Sequence, residues 1–115
     1  EGFLFLDGRT DDVIVRGGEN ISPGEIEDVL LTHHAVLDVA VVAVPDDEWG
    51  EAVGAAIVLR GGAEVSAGEL QSWVRERVRS SRVPARIEFR AQLPYSELGK
   101  ILRRVVRDEL ANLPG

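Results

Sequence analysis

Val36-Leu37-Asp38-Val39-Ala40-Val41-Val42-Ala43-Val44 and Glu51-Ala52-Val53-Gly54-Ala55-Ala56-Ile57-Val58-Leu59 are two apolar, β-branched runs, joined by Pro45-Asp46-Asp47-Glu48-Trp49-Gly50. Short apolar runs bounded by Pro, Asp and Gly read as central strands, here an antiparallel pair. Downstream, Gly61-Gly62 closes the second run. Ser66-Ala67-Gly68-Glu69 is a capping box ahead of a helix carrying Leu70, Trp73, Val74, Arg77 and Val78. Pro84 blocks its continuation. Arg86-Ile87-Glu88-Phe89-Arg90 alternates with period two, like a half-buried edge strand. Pro94 through Gly99 is a loop leading into a last helix from Lys100 to about Leu110.

Upstream, Ser22-Pro23-Gly24-Glu25 is a second capping box with proline at the first helical position, which predicts a helix from Pro23 to about His33. Ile26, Val29, Leu30 and His33 share one face of it, leaving Glu25, Glu27 and Asp28 for solvent or the helix dipole. Gly17-Gly18 breaks a short strand, Asp12-Val13-Ile14-Val15-Arg16, which forms a hairpin or ribbon with an earlier strand between Gly2 and Gly8. The order is ββαββαβα. It predicts an α+β fold: a small antiparallel or mixed sheet with helices mainly on one face, plus an N-terminal β-hairpin.

The 115 residues fit one domain, which at that size buries about two thirds of its unfolded surface. With 44% hydrophobic and 29% charged residues the composition is that of a soluble globular protein. The absence of cysteine removes thiolate catalysis, disulfides and Cys-based zinc sites. A net charge of -7 argues against nucleic-acid and anionic membrane partners, which are held by cationic faces. The longest apolar stretch falls far short of the ~20 residues a membrane helix needs. Glu1-Gly2-Phe3 is no signal peptide, so the cytoplasm is the expected location. A start directly on a strand reads as that of a fragment.

Three places carry candidate chemistry. Lys100 follows Gly99 at the mouth of the expected last helix. A cation there opposes the helix dipole and asks for an anionic partner, while Gly99 allows a ligand close to the backbone. The alternative is a solvated lysine at a loop end. Gly8-Arg9-Thr10-Asp11-Asp12 sets a guanidinium beside two carboxylates. Arg9 either contacts a phosphate or ribose or closes an internal ion pair across the turn. Arg16-Gly17-Gly18-Glu19-Asn20 either lines a narrow ligand passage or is a plain tight turn. His33-His34 and Asp46-Asp47-Glu48 lack metal-ligand spacing, and exposure with a dipole contact at the helix C-terminus is the reading for the histidines. Arg103, Arg104 and Arg107 form a basic stripe without aromatic interleaving, suited to docking or to a phosphate-bearing ligand.

In order, these segments resemble the C-terminal domain of adenylate-forming enzymes, which include acyl- and aryl-CoA synthetases. Gly8-Arg9-Thr10-Asp11-Asp12-Val13-Ile14 with Gly17-Gly18-Glu19-Asn20-Ile21 and Glu25-Ile26-Glu27 resembles the family's hinge segment and following loop. Leu98-Gly99-Lys100-Ile101-Leu102-Arg103-Arg104 resembles its terminal lysine motif, and Pro45 through Glu51 its mid-domain connector. The resemblance implies a carboxylate attacking ATP to give an acyl-adenylate and pyrophosphate, then a thiol, usually that of coenzyme A, displacing AMP. It implies that Lys100 bridges the substrate carboxylate and the α-phosphate. It also implies that Arg9 contacts the nucleotide, and that Asp11 is the hinge about which the domain turns to bring Gly17, Gly18 and Glu19 to the pantetheine passage.

Its partners are then a large N-terminal domain that holds most of the ATP and magnesium, a small carboxylic acid, ATP and coenzyme A. No nucleic acid, membrane span or metal site is expected in this chain. Tyr95 departs from the resemblance, standing where the family often has a basic residue, as does Glu97-Leu98 ahead of Gly99. A binding module of the same fold without catalysis is the alternative.

Overall fold

The computed structural model describes residues 13–79 and 82–111. Along them run β1 (Ile14–Arg16), β2 (Glu19–Ile21), α1 (Pro23–Leu31), β3 (Val36–Asp46), β4 (Gly50–Leu59), α2 (Ala67–Arg75), β5 (Arg86–Arg90) and α3 (Arg103–Ala111). The expected alternation of strands and helices holds, but the first strand pair is a different one. β1 pairs antiparallel with β2, Ile14 facing Ile21, so Gly17-Gly18 is the turn of a hairpin rather than a break. Both glycines have positive φ, +58° and +90°, as a two-residue turn matched to strand twist requires. The strand expected between Gly2 and Gly8 lies outside the described residues.

The main sheet has the order β3-β4-β5. β3 and β4 are antiparallel, and β5 joins β4 in parallel after the α2 crossover. Only β4 is central, so the expectation of two central strands holds for one of them, but β3 and β4 are both apolar on both faces and neither face can be left to water. Ile14, Ile21, Ile26, Leu30, Leu70 and Val74 cover the face of Val39, Val41, Ala43, Val53, Ala55 and Ile57. Val106 and Leu110 of α3, with Leu93, cover Ala40, Val42, Val44, Ala52, Ala56 and Val58 on the other. Two helices thus share one face and the third closes the opposite one. Gly54 makes room for α3, since a Cβ there would stand 2.9 Å from Val44 Cγ1 and 3.4 Å from Leu110 Cδ1.

β3 is an edge strand, and its outward amide at Val41 is satisfied by a side chain from α1. Val41 N donates to Glu27 Oε2 at 2.9 Å, and Arg103 Nη2 donates to Glu27 Oε1 at 2.6 Å. Glu27 is therefore buried, 6% exposed, and not on the solvent face that helical spacing assigned to it. One carboxylate ties α1, the β3 edge and α3 together.

The first capping box also differs from expectation. Ser22 makes no side-chain cap bond, and Glu25 pairs with Arg82 instead of reaching back. The second box forms half-way: Ser66 Oγ accepts from the Glu69 amide at 3.1 Å, while the Glu69 carboxylate lies 3.0 Å from His33 Nε2. His33 is buried, contrary to the exposed reading, and His34 is exposed. Because His33 Nδ1 accepts from the Ala35 amide at 3.0 Å, Nε2 carries the hydrogen given to Glu69. Indole N–H of Trp73 reaches Val29 O and Thr32 Oγ1, both at 3.1 Å, and so crosslinks α1 to α2.

Candidate functional site

Lys100 does not open the last helix. α3 starts at Arg103, and residues 94–102 fold into a narrow β-hairpin in which Tyr95 bridges Ile101. Ser96 N donates to Lys100 O at 2.8 Å, Gly99 N to Ser96 O at 2.9 Å, and Leu102 N to Pro94 O at 2.9 Å. Gly99 takes φ +81°, which a turn residue without Cβ adopts freely. The bond into Lys100 O takes the carbonyl that a helix beginning at Lys100 would offer to Arg104 N, so the Lys100 ammonium does not stand at a helix N-terminus.

What remains is a lysine on a tightly bonded hairpin. Lys100 is exposed, and among the described residues its side chain has no carboxylate partner. Of the 13 Lys and Arg residues in the chain it is the only lysine. That usage is a signal in the sequence: an ammonium is kept at one position in a chain otherwise supplied with guanidinium groups. The hairpin stands on Leu93, buried in the α3-side core, and on Tyr95, whose hydroxyl donates to Asp38 on β3. Its tip carries Leu98, 85% exposed.

The Gly17-Gly18 turn is built against the other end of β3. Gly17 N donates to Trp49 O at 2.9 Å. A Cβ on Gly17 would stand 2.7 Å from Trp49 Cε3, and Gly18 is open, with nothing within 4 Å of an added Cβ. The Arg16 guanidinium lies over the indole, 4.5 Å from its centroid. Val15 N donates to Glu51 Oε1 at 2.8 Å, and Arg107 holds the other oxygen at 3.2 Å. Glu19 is half-buried, with Arg82 Nε 3.4 Å away. The connector Asp46 to Glu51 is thus the seat of this turn, a role that its sequence resemblance did not specify.

Lys100 and Gly17-Gly18 are not brought together. Their anchors on the sheet, Asp38 and Asp46 beside Trp49, are eight residues apart along β3, roughly 26 Å at a strand rise of about 3.3 Å. Arg9 and Asp11 lie outside the described residues. The basic stripe is partly neutralised, Arg103 by Glu27 and Arg107 by Glu51. Among the described residues no group of three or more His, Asp or Glu side chains is placed to hold a metal ion. Nor is any described helix long and apolar enough to cross a membrane.

Residues 25–100 match the family model described as the AMP-binding enzyme C-terminal domain. The long-chain-fatty-acid–CoA ligase of Bacillus subtilis is 42% identical over 109 residues, covering 95% of this chain and 20% of that protein. The fatty acid–[acyl-carrier-protein] ligase ScoC of Streptomyces coeruleorubidus is 41% identical over 108 residues, 94% of this chain and 21% of that one. Among solved structures, the amide bond synthetase McbA of Marinactinospora thermotolerans superposes with a TM-score of 0.82 at 37% identity, covering 85% of this chain and 20% of that one. This chain spans about a fifth of the length of each. A hairpin-borne lysine, a glycine turn seated at the far end of the same strand, and a family match across residues 25–100 converge on one conclusion: the chain belongs to the family of AMP-binding enzyme C-terminal domains.

Proposed function

We propose that residues 1–115 are the mobile C-terminal domain of an ATP-dependent acyl- or aryl-CoA synthetase whose larger domain precedes this chain. In the first half-reaction the Lys100 ammonium bridges the substrate carboxylate and the α-phosphate. The carboxylate oxygen attacks phosphorus, pyrophosphate leaves, and the cation offsets the repulsion of two anions as they meet. Arg9 contacts the nucleotide. The domain then turns about Asp11, withdraws Lys100 and presents Gly17, Gly18 and Glu19 to the pantetheine arm. The thiolate attacks the acyl carbon and AMP departs.

The observation that carries this reading is the separation of the two candidate half-sites. A lysine and a glycine turn anchored roughly 26 Å apart along one strand suit a rigid-body turn that lets each serve one reacting centre in sequence. Nothing bulky stands on Gly18, which suits the close passage of a narrow arm. ATP and magnesium are held mainly by the preceding domain, and the acyl pocket belongs there too. The relatives' names span a CoA and a carrier-protein acceptor, and in this proposal the acceptor is coenzyme A. Under it the isolated chain has no substantial ligase turnover.

The test is a comparison of half-reactions in the enzyme with its native upstream sequence. Lys100→Ala should lower carboxylate-dependent pyrophosphate exchange by about 100- to 1,000-fold, the size of losing one transition-state electrostatic contact, and spare thioester formation from supplied acyl-adenylate. Survival of both activities favours the binding module without catalysis.

A further inference from the structure

Among the described residues, the hairpin that carries Lys100 meets the sheet through one side-chain polar contact. Two strands joined by a single bridge are marginal alone, so their orientation depends on what holds the base. Leu93 supplies an apolar foot. Tyr95 supplies the directional one, its hydroxyl donating to Asp38 Oδ2. Asp38 is itself held, because its Oδ1 accepts from the Val39 amide at 2.9 Å. It sits at the irregularity where the β3–β4 register shifts between Val36 and Asp38, and faces the side of Ala40, Val42 and Leu93 rather than that of Val36. From Tyr95 the bonding passes directly to the lysine: the next residue, Ser96, exchanges its amide with Lys100 O at 2.8 Å and accepts from Lys100 N at 3.3 Å.

We propose that Tyr95 and Asp38 are positioning residues for adenylation, their hydrogen bond setting the angle at which the hairpin presents Lys100. This rests on the role of Lys100 given above. A bond to a carboxylate is stronger and more directional than one between neutral groups. A charged group displaced by about 1 Å at a reacting centre can lose 100-fold in rate, so a hairpin free to rock at its base would blunt the lysine without removing it. An arginine at position 95 would meet the same Asp38 carboxylate as an ion pair.

The experiment uses the ligase with its native upstream sequence and measures pyrophosphate exchange, thioester formation from acyl-adenylate, and thermal unfolding. Tyr95→Phe and Asp38→Ala should each slow exchange about tenfold while thioester formation stays within about twofold, the loss of one charge-assisted bond in the first half-reaction alone. The double variant should be no slower than the slower single, since both remove the same bond. Tyr95→Arg should recover exchange only while Asp38 is present. An unchanged exchange rate in Tyr95→Phe, or equal slowing of both half-reactions, overturns the proposal. Lys100→Ala in parallel separates the two ideas: retained exchange there sinks the lysine reading and the tether with it, whereas lost exchange there with normal Tyr95→Phe sinks the tether alone.

Discussion

Removing the Glu27 carboxylate should cost this domain a large share of its stability. The side chain is 6% exposed and accepts from Val41 N at 2.9 Å and from Arg103 at 2.6, 2.8 and 3.1 Å. In Glu27→Ala, the β3 amide loses its partner at a cost of about 1–3 kcal/mol, and Arg103 is left largely buried without its anion. Its guanidinium is 19% exposed and can rehydrate in part, which holds the sum to about 3–5 kcal/mol. A 115-residue domain has roughly 6–17 kcal/mol in all. In urea, with a slope of about 1.5 kcal/mol per molar, the midpoint should fall by about 2–3 M. Arg103→Met should be similarly harmful, because it leaves a buried carboxylate with one amide for company. The pair Glu27→Leu with Arg103→Met should be better than the sum of the singles, yet still short of wild type by about 1–3 kcal/mol for the orphaned Val41 amide. A midpoint shift below about 0.3 M for Glu27→Ala, or strict additivity in the double variant, would refute the reasoning.

Gly54→Ala should destabilise by about 1–3 kcal/mol in the same urea assay, because its methyl group meets Val44 Cγ1 at 2.9 Å and pushes on Leu110 of α3. Gly17→Ala should slow thioester formation more than Gly18→Ala: both carry the positive-φ penalty of about 1 kcal/mol, but only the first drives a methyl group into Trp49. Equal effects would remove Trp49 as the seat of that turn. Tyr95 is the only tyrosine in the chain, so absorbance titration of the 115-residue protein reads it alone. Its hydroxyl is pushed up to about 12, first by the hydrogen bond to Asp38, then by burial and by the negative charges of Asp38 and Glu27. Since the folded pKa lies above the unfolded value of about 10, the stabilising contribution is complete below about pH 10 and is lost as pH rises through the folded value. Asp38→Ala should ionise Tyr95 at a lower pH than the wild type, with burial and Glu27 still holding it above the free value; identical curves would show that the bond does not form.

Much of the fold was legible because it rests on local rules. Two β-branched runs around Pro45 to Gly50 had to be neighbouring strands, and proline at the start of α1 and Pro84 after α2 bounded the helices. The glycine turn was legible as a feature but not as a hairpin, since the three-residue strands beside it are too short to show periodicity. Lys100 was visible through its motif and Gly99. The helix assigned to begin there starts three residues later, because the Lys100 carbonyl accepts from Ser96 N within the hairpin instead of from Arg104 N. Glu27 carried a weak signal, its place between Pro23 and Leu30 on the buried side of α1, which simple amphipathic counting read as polar and therefore wet.

By itself, then, the order of residues determined the strands and helices from α1 onward, the antiparallel β3–β4 pair and the family to which the chain belongs. These follow from side-chain shape, from backbone restrictions at Gly and Pro, and from motifs contiguous in the chain. Only the tertiary structure decided that α3 closes the face opposite α1 and α2, that Glu27 secures an edge strand to Arg103, that Trp49 seats the glycine turn, and that Asp38 holds Tyr95. Each of these joins groups distant in sequence, and a polar side chain's partner is set by which carboxylate or amide the completed packing leaves within about 3 Å, a quantity that no local pattern encodes.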